Sequence, residues 1–208
     1  MRVILSLLIF AISAFCADPV IGMWKSVNES RKETGFWTIY ERDFRLYGEL
    51  ILMIGADESS VCKNCDDYYE NFPYDTRGKQ IPLIGTPFIY GLKLVHQGSW
   101  SDGYLIDPDT GKVYECNIDY IPPSNGAPSQ LKVRGESTGG LFSKLRGKNQ
   151  FWQSVSVDDL AKARDENAKI LNERSQKEQE LMKQAKNIEK VPQPRPMSRK
   201  ASARDSIF

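Results

Sequence analysis

From Gly22 to Val155 apolar and polar residues alternate in short runs, and a period of two is the signature of β-strands that bury one face. Gly22 and Trp24 share a face of the first run, Phe36, Thr38 and Tyr40 a face of the second, and Leu46, Leu50, Leu52 and Ile54 mark a long third. Phe88, Tyr90, Leu92 and Leu94 make the fourth, and Trp100 with Tyr104 to Ile106 the fifth. In the sixth, Tyr114, Cys116, Ile118 and Tyr120 alternate with Glu115, Asn117 and Asp119. Leu131 and Val133 mark the seventh; Phe151, Gln153 and Val155, opposite Trp152, mark the eighth. Eight strands close into a barrel just wide enough for side chains or one small ligand. The pattern therefore predicts a mainly β protein with an eight-stranded up-and-down antiparallel barrel.

The connections support a meander. Asp107-Pro108-Asp109-Thr110-Gly111-Lys112 reads as a hairpin loop in which Gly111 supplies the positive φ. Its Asp-x-Asp-x-Gly order resembles a calcium loop but lacks the distal Glu and later ligands. The long connection from Ala56 to Gln80 has the length of a lid or binding element.

Composition changes near Ser156. Residues 157–190 hold no Gly or Pro and are rich in Ala, Glu, Lys, Gln and Asp, which predicts a charged helix whose start Ser156 and Asp159 cap. Its apolar stripe is thin: Leu160, Ala163, Ala168, Ile170 and Leu171, then nothing until Leu181, Met182, Ala185 and Ile188. It reads as a solvated helix, with a partner-binding helix as the alternative. Residues 191–208, with Pro192, Pro194 and Pro196 before a basic run, have the composition of a disordered tail.

At the other end, Arg2, the apolar run Val3 to Ala14 and the small residues Ala14 and Cys16 form a signal peptide over residues 1–16, leaving a barrel domain over 17–156. The run is too short to span a bilayer and no later one is long enough. The expectation is a soluble exported protein, periplasmic or secreted. A lipid anchor on Cys16 is the rival reading, set against by the bulky Phe15 before it.

Processing after Cys16 leaves Cys62, Cys65 and Cys116, an odd number in a compartment that favours disulfides. Acidic neighbours, Asp57, Glu58, Asp66 and Asp67, disfavour a reactive thiolate in the Cys62-x-x-Cys65 pair, so that pair is expected to be a structural disulfide. Cys116 shares the apolar face of its strand and should be buried and free. A zinc site of Cys62, Cys65, Cys116 and His96 is chemically permissible, but one CxxC without a second is a weak signal, and no metal is assigned.

With 28 basic and 27 acidic residues the chain is nearly neutral, and its aromatics are not interleaved with Lys or Arg, so nucleic acid is not an expected partner. His96 is the only histidine and has no nucleophile or carboxylate beside it in sequence. There is no Gly-rich phosphate loop and no Gly-x-Ser-x-Gly elbow. Glu49 and Asp119 are the pair of carboxylates that a barrel mouth would bring together for acid–base work. The balance points away from an enzyme, and no cofactor is assigned.

Several segments together resemble a known family. Asp18-Pro19-Val20-Ile21-Gly22-Met23-Trp24, Tyr47-Gly48-Glu49-Leu50, Cys62-x-x-Cys65, Pro82-Leu83-Ile84-Gly85, Ile106 to Cys116, Leu131-Lys132-Val133-Arg134-Gly135 and Leu145-Arg146-Gly147 to Trp152 look like the domain of unknown function 2147. The resemblance implies an exported bacterial β-rich domain with no established activity. Gly22-x-Trp24 at the first strand is also similar to the start of lipocalin (calycin-like) barrels. That likeness implies that Trp24 closes one barrel end beneath an arginine, Arg134 or Arg146, through a cation–π contact.

The leading functional expectation is a non-catalytic binding protein holding a small apolar or amphipathic molecule among Tyr40, Leu50, Phe88, Tyr90, Tyr114 and Tyr120. The alternative is an envelope interaction protein with a filled barrel that works through its surface or C-terminal helix.

Overall fold

The structure, a computed structural model, describes residues 17–27, 32–65, 68–74, 79–137 and 148–189. The expected signal peptide, the basic tail and Arg146 lie outside the described residues. The predicted barrel is the observed one. Strands β1 (Gly22–Val27), β2 (Glu33–Arg42), β3 (Arg45–Met53), β4 (Ile89–His96), β5 (Ser99–Ile106), β6 (Val113–Ile121), β7 (Gln130–Ser137) and β8 (Lys148–Ser154) precede one helix, α1 (Val157–Glu189). Each strand pairs antiparallel with the next, and β8 returns to β1 to close the ring.

Register decides which residues face inward, because residues opposite each other in an antiparallel ladder share a face. Trp24 lies opposite Trp37, and Trp37 opposite Leu50. Leu46 pairs with Leu92, Trp100 with Ile118, Ile118 with Val133, and Leu131 with Trp152. These inward residues are buried and form the core. The inner face of β2 is thus Trp37 and Ile39, not the predicted Phe36, Thr38 and Tyr40, which line the outside. Phe36 misled the pattern because it too is buried, under the helix. At Gly103 the wall has no room for a side chain, since a Cβ there would lie 2.5 Å from the Leu92 side chain.

The N-terminal segment plugs one end of the barrel. The Trp24 Nε1–H donates to the Val20 carbonyl at 2.9 Å, and the fully buried Val20 sits on the core. Asp18 ties the segment down by accepting from the Val20 and Gly98 amides, each at 3.0 Å. Tyr120 meets the Trp24 ring edge-on, with centroids 6.3 Å apart. The expected arginine over Trp24 is not Arg134, which stands opposite Asn117 on the outer face and pairs with Glu136 at 2.6 Å. Alternation requires this, because its neighbours Val133 and Gly135 both line the interior.

The start of α1 is capped reciprocally. Ser156 Oγ accepts from the Asp159 amide at 3.1 Å, and Asp159 Oδ2 accepts from the Ser156 amide at 3.0 Å. Leu160 and Ala163 then bury against Phe36 and Leu52 on the outer barrel wall. Asn167 completes the attachment, with Oδ1 accepting from the Gly55 amide at 2.6 Å and Nδ2 donating to the Ala56 carbonyl at 2.9 Å. The expectation of a solvated helix is corrected for its start, residues 157–168, because outward Phe36 and Leu52 need a cover. The chain divides after Ala168, and in the second unit Leu181 and Met182 are exposed. No helix among the described residues is long and apolar enough to cross a membrane.

Candidate functional site

At the end away from the N-terminal plug, the interior opens into a cavity of about 450 Å³. Trp37 and Trp152 stack within it, ring centroids 4.9 Å apart and planes 25° apart. Their polar edges are satisfied: Trp37 Nε1 donates to Ser26 Oγ at 3.2 Å, and Trp152 Nε1 to Gln150 Oε1 at 2.9 Å. Apolar ring surface is therefore what the pair offers. Leu50, Leu105, Tyr114 and Val133 continue the lining, and Asp107, Pro108 and Asp109 of the β5–β6 turn border it.

That turn is fastened from within and from outside. Asp107 Oδ1 accepts from the Asp109 amide at 3.0 Å and its Oδ2 from Thr110 Oγ1 at 2.8 Å. From outside, a disulfide joins Cys62 to Cys65, and the enclosed Asn64 donates from Nδ2 to the Asp109 carbonyl at 2.8 Å. The Tyr69 hydroxyl donates to the Gly111 carbonyl at 3.0 Å. Gly111, at φ +69°, lets the two loops touch, since a Cβ there would fall 1.8 Å from the Asn64 carbonyl oxygen. The long connection is thus a brace on the rim of the cavity.

Of the predicted ligand residues the structure brings Leu50 and Tyr114 to the cavity. Tyr40 is on the outer face, stacked on Tyr47 at 5.8 Å and donating to Glu49 Oε1 at 2.5 Å. Tyr90 also faces outward, paired with Tyr104 and covered by Phe72 of the long connection. Phe88 is fully buried just before β4, and Tyr120 belongs to the plugged end. Sequence reasoning missed Trp37, Trp152, Leu105 and Gln150. The available signal was register: once Trp24 faces inward, its partner Trp37 must do so too.

The matching family model spans residues 22–154 and is described as an uncharacterized protein conserved in bacteria, DUF2147. The chain belongs to the DUF2147 family. No curated protein matches it in sequence. Among solved structures it is similar to a Helicobacter pylori protein described as belonging to the lipocalin family, with 16% identity and a TM-score of 0.52. The match covers 73% of this chain and 97% of that one, so the likeness is one of fold.

The other chemistry weighed for this DUF2147 chain does not assemble. Glu49 and Asp119 lie on the outer faces of non-adjacent strands, and Asp119 accepts from Ser99 Oγ at 2.8 Å. His96 is exposed at the end of β4, whereas Cys116 is fully buried inside the barrel. Burial pushes the Cys116 thiol up to about 12, so it behaves as a small apolar group. Burial, then the hydrogen bond and charge of Glu49, raise the Tyr40 hydroxyl above the usual phenol range. Of the two pockets, the aromatic cavity is the more apolar. A second, more polar cleft of about 1040 Å³ lies outside the barrel among Tyr68, Tyr90, Tyr104 and Lys112.

Proposed function

We propose that this chain is an exported, non-catalytic binding protein that takes one small apolar or amphipathic molecule into the mouth of its barrel. The observation that carries the reading is the cavity of about 450 Å³ over the Trp37–Trp152 stack. Its volume falls in the range of small-molecule sites, and its lining has the usual makeup of such sites: mostly apolar, with a few polar groups to set orientation. Fold likeness to a lipocalin family member is consistent with this reading but does not carry it, because a fold hosts many functions.

The filled-barrel alternative draws on the packed half around Trp24, Leu92 and Trp100, and on exposed Leu181 and Met182 as a contact for a protein partner. The cavity favours the first reading, since a solid scaffold has no use for a gap at its mouth. Export is proposed from Val3 to Ala14 and the small residues at Ala14 and Cys16. Native mass spectrometry of protein secreted by an expressing bacterium tests both parts. The expected species begins after Cys16 and carries a non-covalent adduct of one small molecule. An acylated Cys16, or an adduct-free protein that takes up no lipid extract component, would contradict the reading.

A further inference from the structure

We infer that the mouth cavity prefers an amphiphile whose head group is a cation. The inference rests on the binding reading above and narrows its ligand class. The lining is chemically mixed: it includes the stacked rings of Trp37 and Trp152 and, from the β5–β6 turn at the border, the acidic residues Asp107 and Asp109. Among the described lining residues there is no Lys, Arg or His. Ser26, Thr34 and Gln150 can orient a neutral group, but none of them offers a positive charge to an anionic head.

The two carboxylates sit two residues apart in one turn, where each opposes the charge of the other. Burial, and then the neighbouring Asp107, raise the Asp109 carboxyl above its ordinary value, and a cation beside it would offset both. Asp107 spends one acceptor site of each oxygen on its own turn, and a carboxylate has about four such sites, so capacity for a cationic donor remains. The indole faces add to the same preference, because the ring quadrupole attracts cations. Alkyl chain against the tryptophans and ammonium at the rim is the arrangement that satisfies both kinds of lining.

The test uses three eight-carbon probes on the full chain at low ionic strength: octyltrimethylammonium, octyl glucoside and octyl sulfate, each titrated calorimetrically below its micelle concentration. The expected order is octyltrimethylammonium about tenfold tighter than octyl glucoside, with octyl sulfate weakest. Asp107→Asn with Asp109→Asn should shrink the ratio of the ammonium affinity to the glucoside affinity to about threefold or less. Should the pair fail to fold, Asp109→Asn alone serves, because the turn uses only the backbone of that residue. Octyl sulfate binding as well as the ammonium, or a preference that survives the substitutions, overturns the inference and leaves the binding reading standing. Absence of binding by all three overturns both.

Discussion

Trp37 stacks on Trp152 across the barrel interior, centroids 4.9 Å apart, although β2 and β8 are not neighbours in the sheet. Between them runs β1, whose Trp24 is the register partner of both Trp37 and Ser154. The contact therefore spans the seam where the barrel closes, and it supports both the ring and the cavity. Trp152→Ala should cost about 3–5 kcal/mol, the usual loss for a buried aromatic, read as a lowered denaturant midpoint. Near-UV circular dichroism should lose part of its tryptophan signal in the same variant. A change under about 1 kcal/mol would mean that the pair does not bear on closure.

Where the domain ends can be located by truncation. A chain stopped after Ser156 loses Leu160, Ala163 and the Asn167 hydrogen bonds and uncovers Phe36 and Leu52. Burial of one leucine and the loss of two hydrogen bonds together suggest about 2–4 kcal/mol. A chain stopped after Ala168 keeps all of these and should melt within a few degrees of the full chain. Equal melting of the two truncations would show that the first turns of α1 are dispensable.

Gly111 and Gly126 separate backbone strain from contact. Both have positive φ, +69° and +79°, but a Cβ meets Asn64 at 1.8 Å in the first and nothing within 4 Å in the second. Gly126→Ala should cost about 1–2 kcal/mol, the left-handed penalty alone. Gly111→Ala should cost clearly more and should loosen the rim, seen as faster amide exchange at Asp109 and Lys112. Equal costs would mean that the disulfide loop does not brace the turn.

Cys116 supplies a pH test with a definite sign. Its folded value of about 12 lies above the ordinary 9.0, so the stability it protects is complete below pH 9 and falls as pH rises toward the folded value. The slope is at most about 1.4 kcal/mol per pH unit for this one group. The denaturant midpoint should drop more between pH 8 and pH 10 in the native sequence than in Cys116→Ala. At pH 8, iodoacetamide should modify Cys116 only in denaturant, as peptide mass spectrometry would show; rapid modification of the folded chain would contradict its burial.

Strand number, meander order and the helix were legible because alternation is a local property of β6, where Cys116 and Ile118 face in and Glu115 points out. The inner face of β2 was not legible from its own residues. Phe36 and Trp37 are both buried, one by α1 and one by the barrel, so period two gives no preference there. Tyr90 failed for the same reason, since the long connection covers the outer wall and makes an outward tyrosine look like core. The acidic rim was read only as a turn, because Asp107 and Asp109 gain a role from what they border, which no spacing reveals.

Whether the mouth cavity admits an apolar molecule can be read by titration with the neutral fluorescent probe N-phenyl-1-naphthylamine. Its emission should rise to saturation at one probe per chain. Leu105→Trp, which fills the cavity from its wall, should weaken binding by about tenfold or more with little change in melting temperature. A flat titration, or the same affinity in the filled variant, would contradict the binding reading and leave the barrel a scaffold.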